Sequence, residues 1–269
     1  MTSHLQLAEQ FLALHHKGSP LLLANVWDVG SARLIASLGY DALATTSGGH
    51  AGTMGRHDGR VDREEALTHA RLLAGATSLP VSADLENGFG DSPEAVAETI
   101  RLAGETGLAG ASIEDFTGDP NDPIYPRDLA VARIEAAAKA AQGAGIVLTA
   151  RCENHIRGRQ DLDDTIERLE AYEAAGAHVV YAPGLADLDE IRRVTESVEV
   201  PVNVLSLPNG PNVEELASAG VARVSVGSAF FNVAMNALAK AAREWRDEGT
   251  HGFWPDAIGG MAATKDAFE

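Results

Sequence analysis

The sequence predicts an α/β fold, a (β/α)8 TIM barrel. Eight short runs rich in apolar and β-branched residues, each ending in Gly or a polar group, read as strands: 21–25, 42–47, 80–87, 110–115, 146–153, 178–184, 201–206 and 223–228. The segments between them are rich in Ala, Leu and Glu, with apolar residues three and four apart, and read as helices: 31–38, 63–74, 92–106, 129–141, 162–175, 188–197, 213–219 and 229–245. Eight such alternations match a closed barrel, which typically takes about 250 residues, better than an open doubly wound sheet. No G-x-G-x-x-G follows the first run, so the usual dinucleotide signature is missing.

The punctuation supports this division. Asp91-Ser92-Pro93-Glu94 has the cap, the first-turn Pro and the acidic residue that start a helix. Gly39, Gly107, Gly176 and Gly220 stand where a helix closes on a left-handed residue. Residues 1–18 read as an additional N-terminal helix with Leu5, Leu7, Phe11, Leu12 and Leu14 on its apolar side. The tail, 246–269, carries Phe253, Trp254 and Pro255, which predicts packing on the barrel or on a neighbour. No linker-like or low-complexity stretch divides the chain, so residues 1–269 are expected to form one barrel domain.

Composition narrows the function classes. The 269 residues include 21 basic and 39 acidic side chains, a net charge of −18 that repels nucleic-acid backbones and anionic membranes. No apolar stretch approaches the about 20 residues of a membrane span, and the start of the chain has no secretion signal, so a cytoplasmic location is expected. The single cysteine, Cys152, rules out an intrachain disulfide and a multi-cysteine metal site.

In this fold the chemistry lies at the C-terminal ends of the strands. The third run finishes Asp84-Leu85-Glu86-Asn87-Gly88, and strand alternation puts Asp84 and Glu86 on one face. Glu114, ending the fourth run, converges with them from the neighbouring strand. Three acids around one point repel one another, and oxygen-only donors suit Mg²⁺ or Mn²⁺. The same acids also suit solvated strand ends or helix caps. Arg151, at the end of the fifth run, has the parity of a lumen residue and the geometry to bind a carboxylate or phosphonate, or to pair with Glu153 or Glu114. Cys152 then points away from the lumen. Ser47-Gly48-Gly49 follows the second run as a turn whose amides can approach an anion, and Asp58 lies further along that loop. Gly227-Ser228 resembles a phosphate cradle, and the Pro-rich segment 116–126 reads either as a lid or as a passive connection. Tyr125, His50, His57 and Glu153 are candidate acids among which spacing does not choose.

On these residues the chain resembles the phosphoenolpyruvate mutase/isocitrate lyase superfamily. The similarity runs from Asn25-Val26-Trp27-Asp28 to Arg223-Val224-Ser225-Val226-Gly227-Ser228 and is most specific in Asp84–Gly90, Ser112–Asp115 and Thr149–Arg151. The resemblance implies that Asp84, Glu86 and Glu114 hold Mg²⁺ directly or through water. It also implies that Arg151 binds substrate, that Ser47, Gly48 and Gly49 receive a 2-oxo acid carboxylate, and that Asp58 adds a carboxylate. A homotetramer whose last helix packs on a neighbouring barrel is implied too.

The departures are informative. Segment 116–126 has neither the Lys, the Cys nor the His of the Lys-Lys/Arg-Cys-Gly-His stretch of the isocitrate and methylisocitrate lyases, and it lacks the Lys after Glu-Asp found in the mutases. Val180-Tyr181-Ala182-Pro183 lacks the mutase His. The expected activity is therefore a Mg²⁺-dependent carbon–carbon lyase or decarboxylase acting on a small 2-oxo or 2-hydroxy acid through an enolate. A phosphonopyruvate-type mutase or hydrolase and a metabolite-binding barrel with little catalysis are the alternatives.

Overall fold

The eight runs become eight strands because each is apolar on the side that faces the surrounding helices. The computed structural model describes residues 4–268. The strands are β1 Leu21–Val26, β2 Leu43–Thr45, β3 Val81–Asp84, β4 Gly110–Glu114, β5 Val147–Arg151, β6 Val179–Tyr181, β7 Val202–Leu205 and β8 Arg223–Ser225, and they close into a parallel barrel in chain order. Around it lie α1 His4–Ala13, α2 Val29–Ser37, α3 Ser47–Thr53, α4 Arg63–Ala74, α5 Pro93–Gly104, α6 Arg127–Ala144, α7 Leu162–Ala174, α8 Leu188–Ser197, α9 Val213–Ser218, α10 Ala229–Glu248 and α11 Trp254–Ala267. The core sits between strands and helices, where Leu85, Ile100, Ile113, Leu148, Leu169 and Ile191 are fully buried.

Several boundaries differ from the sequence expectation. The third run stops at Asp84 because the chain turns: Glu86 and Phe89 have φ of 49° and 59°, outside any strand. The fifth stops at Arg151. The N-terminal helix spans His4–Ala13 rather than 1–18, and residues 1–3 lie outside the described residues. Its Phe11 is fully buried and packs with Leu21, Leu23, Ala109, Val147 and Val179, closing the N-terminal mouth of the barrel. The tail folds as α11, which rests on α2 of the same chain. Among the described residues no helix is long and apolar enough to cross a membrane.

The lumen is not filled by large branched residues as in most such barrels. Ala44, Ser82, Ser112, Asn203 and Ser225 leave a cavity of about 260 Å³ that opens at the C-terminal end. At its floor Arg223, 4% exposed, donates from Nε to Asn203 Oδ1 (2.9 Å) and from Nη2 to Thr149 Oγ1 (3.2 Å). Its Nη1 donates to His15 Nε2 (3.2 Å), while His15 Nδ1–H donates to the Phe11 carbonyl (2.9 Å), so His15 must be neutral to serve both partners. Burial, then the Arg223 charge, push its pKa from 6.5 down to about 3.

Between those two values the unfolded chain binds a proton at His15 that the folded chain refuses, so stability falls as pH drops through this window. The urea midpoint is expected to decline from pH 7 to pH 4, and His15→Gln to flatten the slope by up to about 1.4 kcal/mol per pH unit. An unchanged slope in the variant would refute the neutral-His15 assignment.

Candidate active site

Asp84, Glu114 and Arg151 reach the cavity because each is the last residue of its strand. The parallel register pairs Glu114 with Arg151 directly. Arg151 Nη1 donates to Asp84 Oδ1 at 3.0 Å, and Nη2 lies 3.0 Å from Glu114 Oε2 and 2.7 Å from Glu153 Oε1. Burial opposes the charge on Arg151, but Glu114, Glu153 and Asp84 together hold its proton more firmly than usual. Asp84 Oδ2 also accepts from the Ser47 hydroxyl (2.9 Å) and amide (3.3 Å).

Glu86 follows by a different route. Its left-handed backbone, not strand alternation, brings it to the same wall as Asp84. Among the described residues no Lys, Arg or His pairs with it, and burial, then the Asp84 and Asp58 charges, raise its carboxyl to about 8. Glu114 is likewise pushed up, first by burial. Asp58 and Gly59 stand exposed at the rim. The loop that carries Glu86 is held from behind: Arg133, 1% exposed, donates from Nη1 to the Gly90 and Asp91 carbonyls (2.6 Å each) and from Nη2 to that of Asn87.

Ser47-Gly48-Gly49 is the first turn of helix α3, not an open turn. Thr46 caps it by accepting from the Gly49 amide (3.2 Å), and the Ser47 amide is taken by Asp84, so neither is free for an anion in this arrangement. The glycines serve packing: a Cβ on Gly48 would lie 2.7 Å from Ser228 Oγ, and one on Gly49 2.5 Å from Thr46 Cγ2. Ser228 shares a hydrogen bond with Thr46 Oγ1 (2.7 Å). The Gly227 amide donates to Asn25 Oδ1 (2.9 Å), which removes it as a phosphate cradle.

The candidate acids separate clearly. His57 lies outside the cavity lining and is exposed. The Tyr125 hydroxyl donates to Asp91 (2.6 Å) and titrates near 12, raised first by burial. His50 stacks on His69 (3.7 Å) beside a small side cavity that Asp84 and Glu86 also line. Glu153 is fully buried between Arg151 and Arg157. Cys152 is fully buried away from the cavity, and burial, then Asp115, push its thiol well up, so it is no nucleophile.

Arg157 escaped the sequence reading because it stands in the irregular loop after β5, where no periodicity assigns a direction. Its Nη2 lies 3.1 Å from Glu153 Oε2, and its guanidinium carbon is 3.6 Å from the centre of the Phe116 ring. Phe116 alone of segment 116–126 lines the cavity; the segment forms a short hairpin closed by the Phe116–Ile124 bridge. Beneath lies a supporting layer in which Asp115 accepts from the Glu153 amide (2.7 Å), the Tyr172 hydroxyl (2.6 Å) and Arg168 Nη1 (3.2 Å).

The oxygen-only donor set of Asp84, Glu86 and Glu114 fits a hard divalent cation chemically, and the raised Glu86 and Glu114 carboxyls mark unbalanced negative charge there. Among the described residues no three such side chains already form a metal-holding group, since Asp84 and Glu114 are turned onto Arg151.

Comparison with known proteins gives the family. The family described as phosphoenolpyruvate phosphomutase matches residues 11–246. The chain belongs to the phosphoenolpyruvate mutase/isocitrate lyase superfamily. It is 52% identical to a Burkholderia cenocepacia structure provisionally called a lyase/mutase, with a TM-score of 0.89 over 93% of this chain and 91% of that one. It is 36% identical to the uncharacterised protein Rv1998c of Mycobacterium tuberculosis (88% and 89% of the two chains), and 31% identical to the 2-methylisocitrate lyase of Escherichia coli (89% and 84%). The superfamily includes lyases and decarboxylases.

The supporting layer has a measurable weight. Arg168→Met strips Asp115 of its buried cation and is expected to cost about 3–5 kcal/mol in urea unfolding; a loss below about 1 kcal/mol would show that Tyr172 and the Glu153 amide suffice.

Proposed function

We propose that this protein is a divalent-metal-dependent lyase or decarboxylase that cleaves a carbon–carbon bond of a small 2-oxo or 2-hydroxy di- or tricarboxylic acid through an enolate. The observation that carries this reading is the meeting of Asp84, Glu86 and Glu114 with Arg151 in one small cavity at the strand ends. Asp84, Glu86 and Glu114 would hold Mg²⁺ or Mn²⁺, with Asp58 beside them. When bound, such a cation acts as a Lewis acid that withdraws charge from the C2 oxygen of the substrate.

The chain's own residues do the rest. Arg151 supplies positive charge fixed in place before the reaction, so an enolate gains stabilisation without reorganisation of the site. The Ser47 hydroxyl fixes Asp84. Phe116 covers one side of the cavity and keeps water from the carbanion. No thiol faces the cavity, which favours cleavage that needs little proton delivery from the segment after β4, such as decarboxylation or retro-aldol release of a pyruvate-type product.

We also read the exposed apolar residues Val233, Met235 and Leu238 of α10 and Trp254, Ile258 and Met261 of α11 as the surface of a homotetramer, with a cytoplasmic location.

Purified protein with Mg²⁺ is expected to release a pyruvate-type product from at least one of a panel of C4–C7 diacids, and to lose this with chelator. Asp84→Asn is expected to lower kcat/KM by more than about 100-fold and to abolish Mg²⁺ binding by titration calorimetry. Phosphate release from phosphonopyruvate with no turnover of any diacid would overturn the proposal.

A further inference from the structure

Three guanidinium groups line the cavity, and their engagements differ. Arg151 is met by Asp84, Glu114 and Glu153, so most of its fork is turned onto carboxylates. Arg223 lies at the floor on neutral partners, Asn203, Thr149 and His15. Arg157 stands at the mouth with its side chain 35% exposed. Its Nε and Nη2 share one oxygen, Glu153 Oε2, at 3.2 Å and 3.1 Å, and Glu114 Oε1 is 3.7 Å away. Its Nη1 makes no hydrogen bond among the described residues.

We propose that Arg157 is the specificity residue of the cavity, the group that receives a second carboxylate of the substrate on the side remote from Asp84. This rests on the lyase reading above and deepens it by naming the residue that meets the second of two separated carboxylates. The guanidinium plane is already fixed, with Glu153 along one edge and the Phe116 ring against one face at 3.6 Å, so little side-chain entropy is lost when the remaining donors close on a carboxylate. Glu153 is held in turn: its amide donates to Asp115 and its other oxygen is bound by Arg151. The cation is therefore positioned by groups that do not themselves need to touch the substrate. The cavity of about 260 Å³ suits a small diacid.

The test compares binding of malate and lactate, which differ by the second carboxylate, to the full chain in Mg²⁺ by calorimetry. Oxalate, a compact dianion, serves as the probe of the Asp84 side. Wild-type protein is expected to bind malate about 10- to 100-fold tighter than lactate. In Arg157→Met that gap closes while lactate and oxalate affinities stay within about twofold, which also shows that the variant is folded; Arg157→Lys restores part of the gap. Equal affinities in wild type, or a gap that survives Arg157→Met, overturn the assignment. Failure of the wild type to bind oxalate counts against the lyase reading instead, because oxalate does not depend on Arg157.

Discussion

The Arg151 guanidinium organises the upper barrel. It gathers carboxylates from the end of β3, the end of β4 and the residue two beyond β5, and bringing three acids so close together without a cation would be costly. Two of the acids are in turn anchored: Asp84 by Ser47, Glu153 by the Asp115–Tyr172–Arg168 layer. The positions of three strand ends thus become one electrostatic unit. Glu86 and Asp58 are surplus to that balance, and the Arg151 fork leaves both carboxyls raised by burial and by the acids beside them.

The alternation of strands and helices was legible because the core between them imposes a period on the sequence. Strand ends were not, because loop conformation decides them: β3 stops where Glu86 and Phe89, neither of them glycine, take positive φ. Helix α3 was hidden for a related reason. Two glycines in its first turn read as an open turn, whereas they are required by the approach of Ser228, made across the sequence, and of the local cap Thr46. The residues Asp84, Glu114 and Arg151 were readable from their place near the strand ends, and the superfamily from the resemblance of the segments around them. Arg157 was not, since its placement depends on Glu153 and Phe116 from two different loops. Three of the amides expected to cradle an anion, those of Gly49, Ser47 and Gly227, are engaged by Thr46, Asp84 and Asn25, the last two of which are distant in sequence from the amides they bind.

Small polar lumen residues explain why the cavity is deep. Ser82, Ser112, Thr149, Asn203 and Ser225 occupy positions that other barrels fill with Val, Ile or Leu, and the apolar material is displaced downward to Phe11 and outward to the helices. The barrel pays for a polar interior with a hydrogen-bonded floor, in which Arg223 reaches Asn203, Thr149 and His15.

Arg133 belongs to α6, on the outside of the barrel, yet it fastens the carbonyls of Asn87, Gly90 and Asp91 while its guanidinium lies 4.1 Å from the Tyr125 ring centre. The loop bearing Glu86 is thus tied to a helix that never sees the cavity. During sequence divergence that helix position is not free to drift as a surface or packing residue would be. It must change together with the loop it fastens, so inheritance of the acidic wall carries with it a constraint on the barrel's exterior.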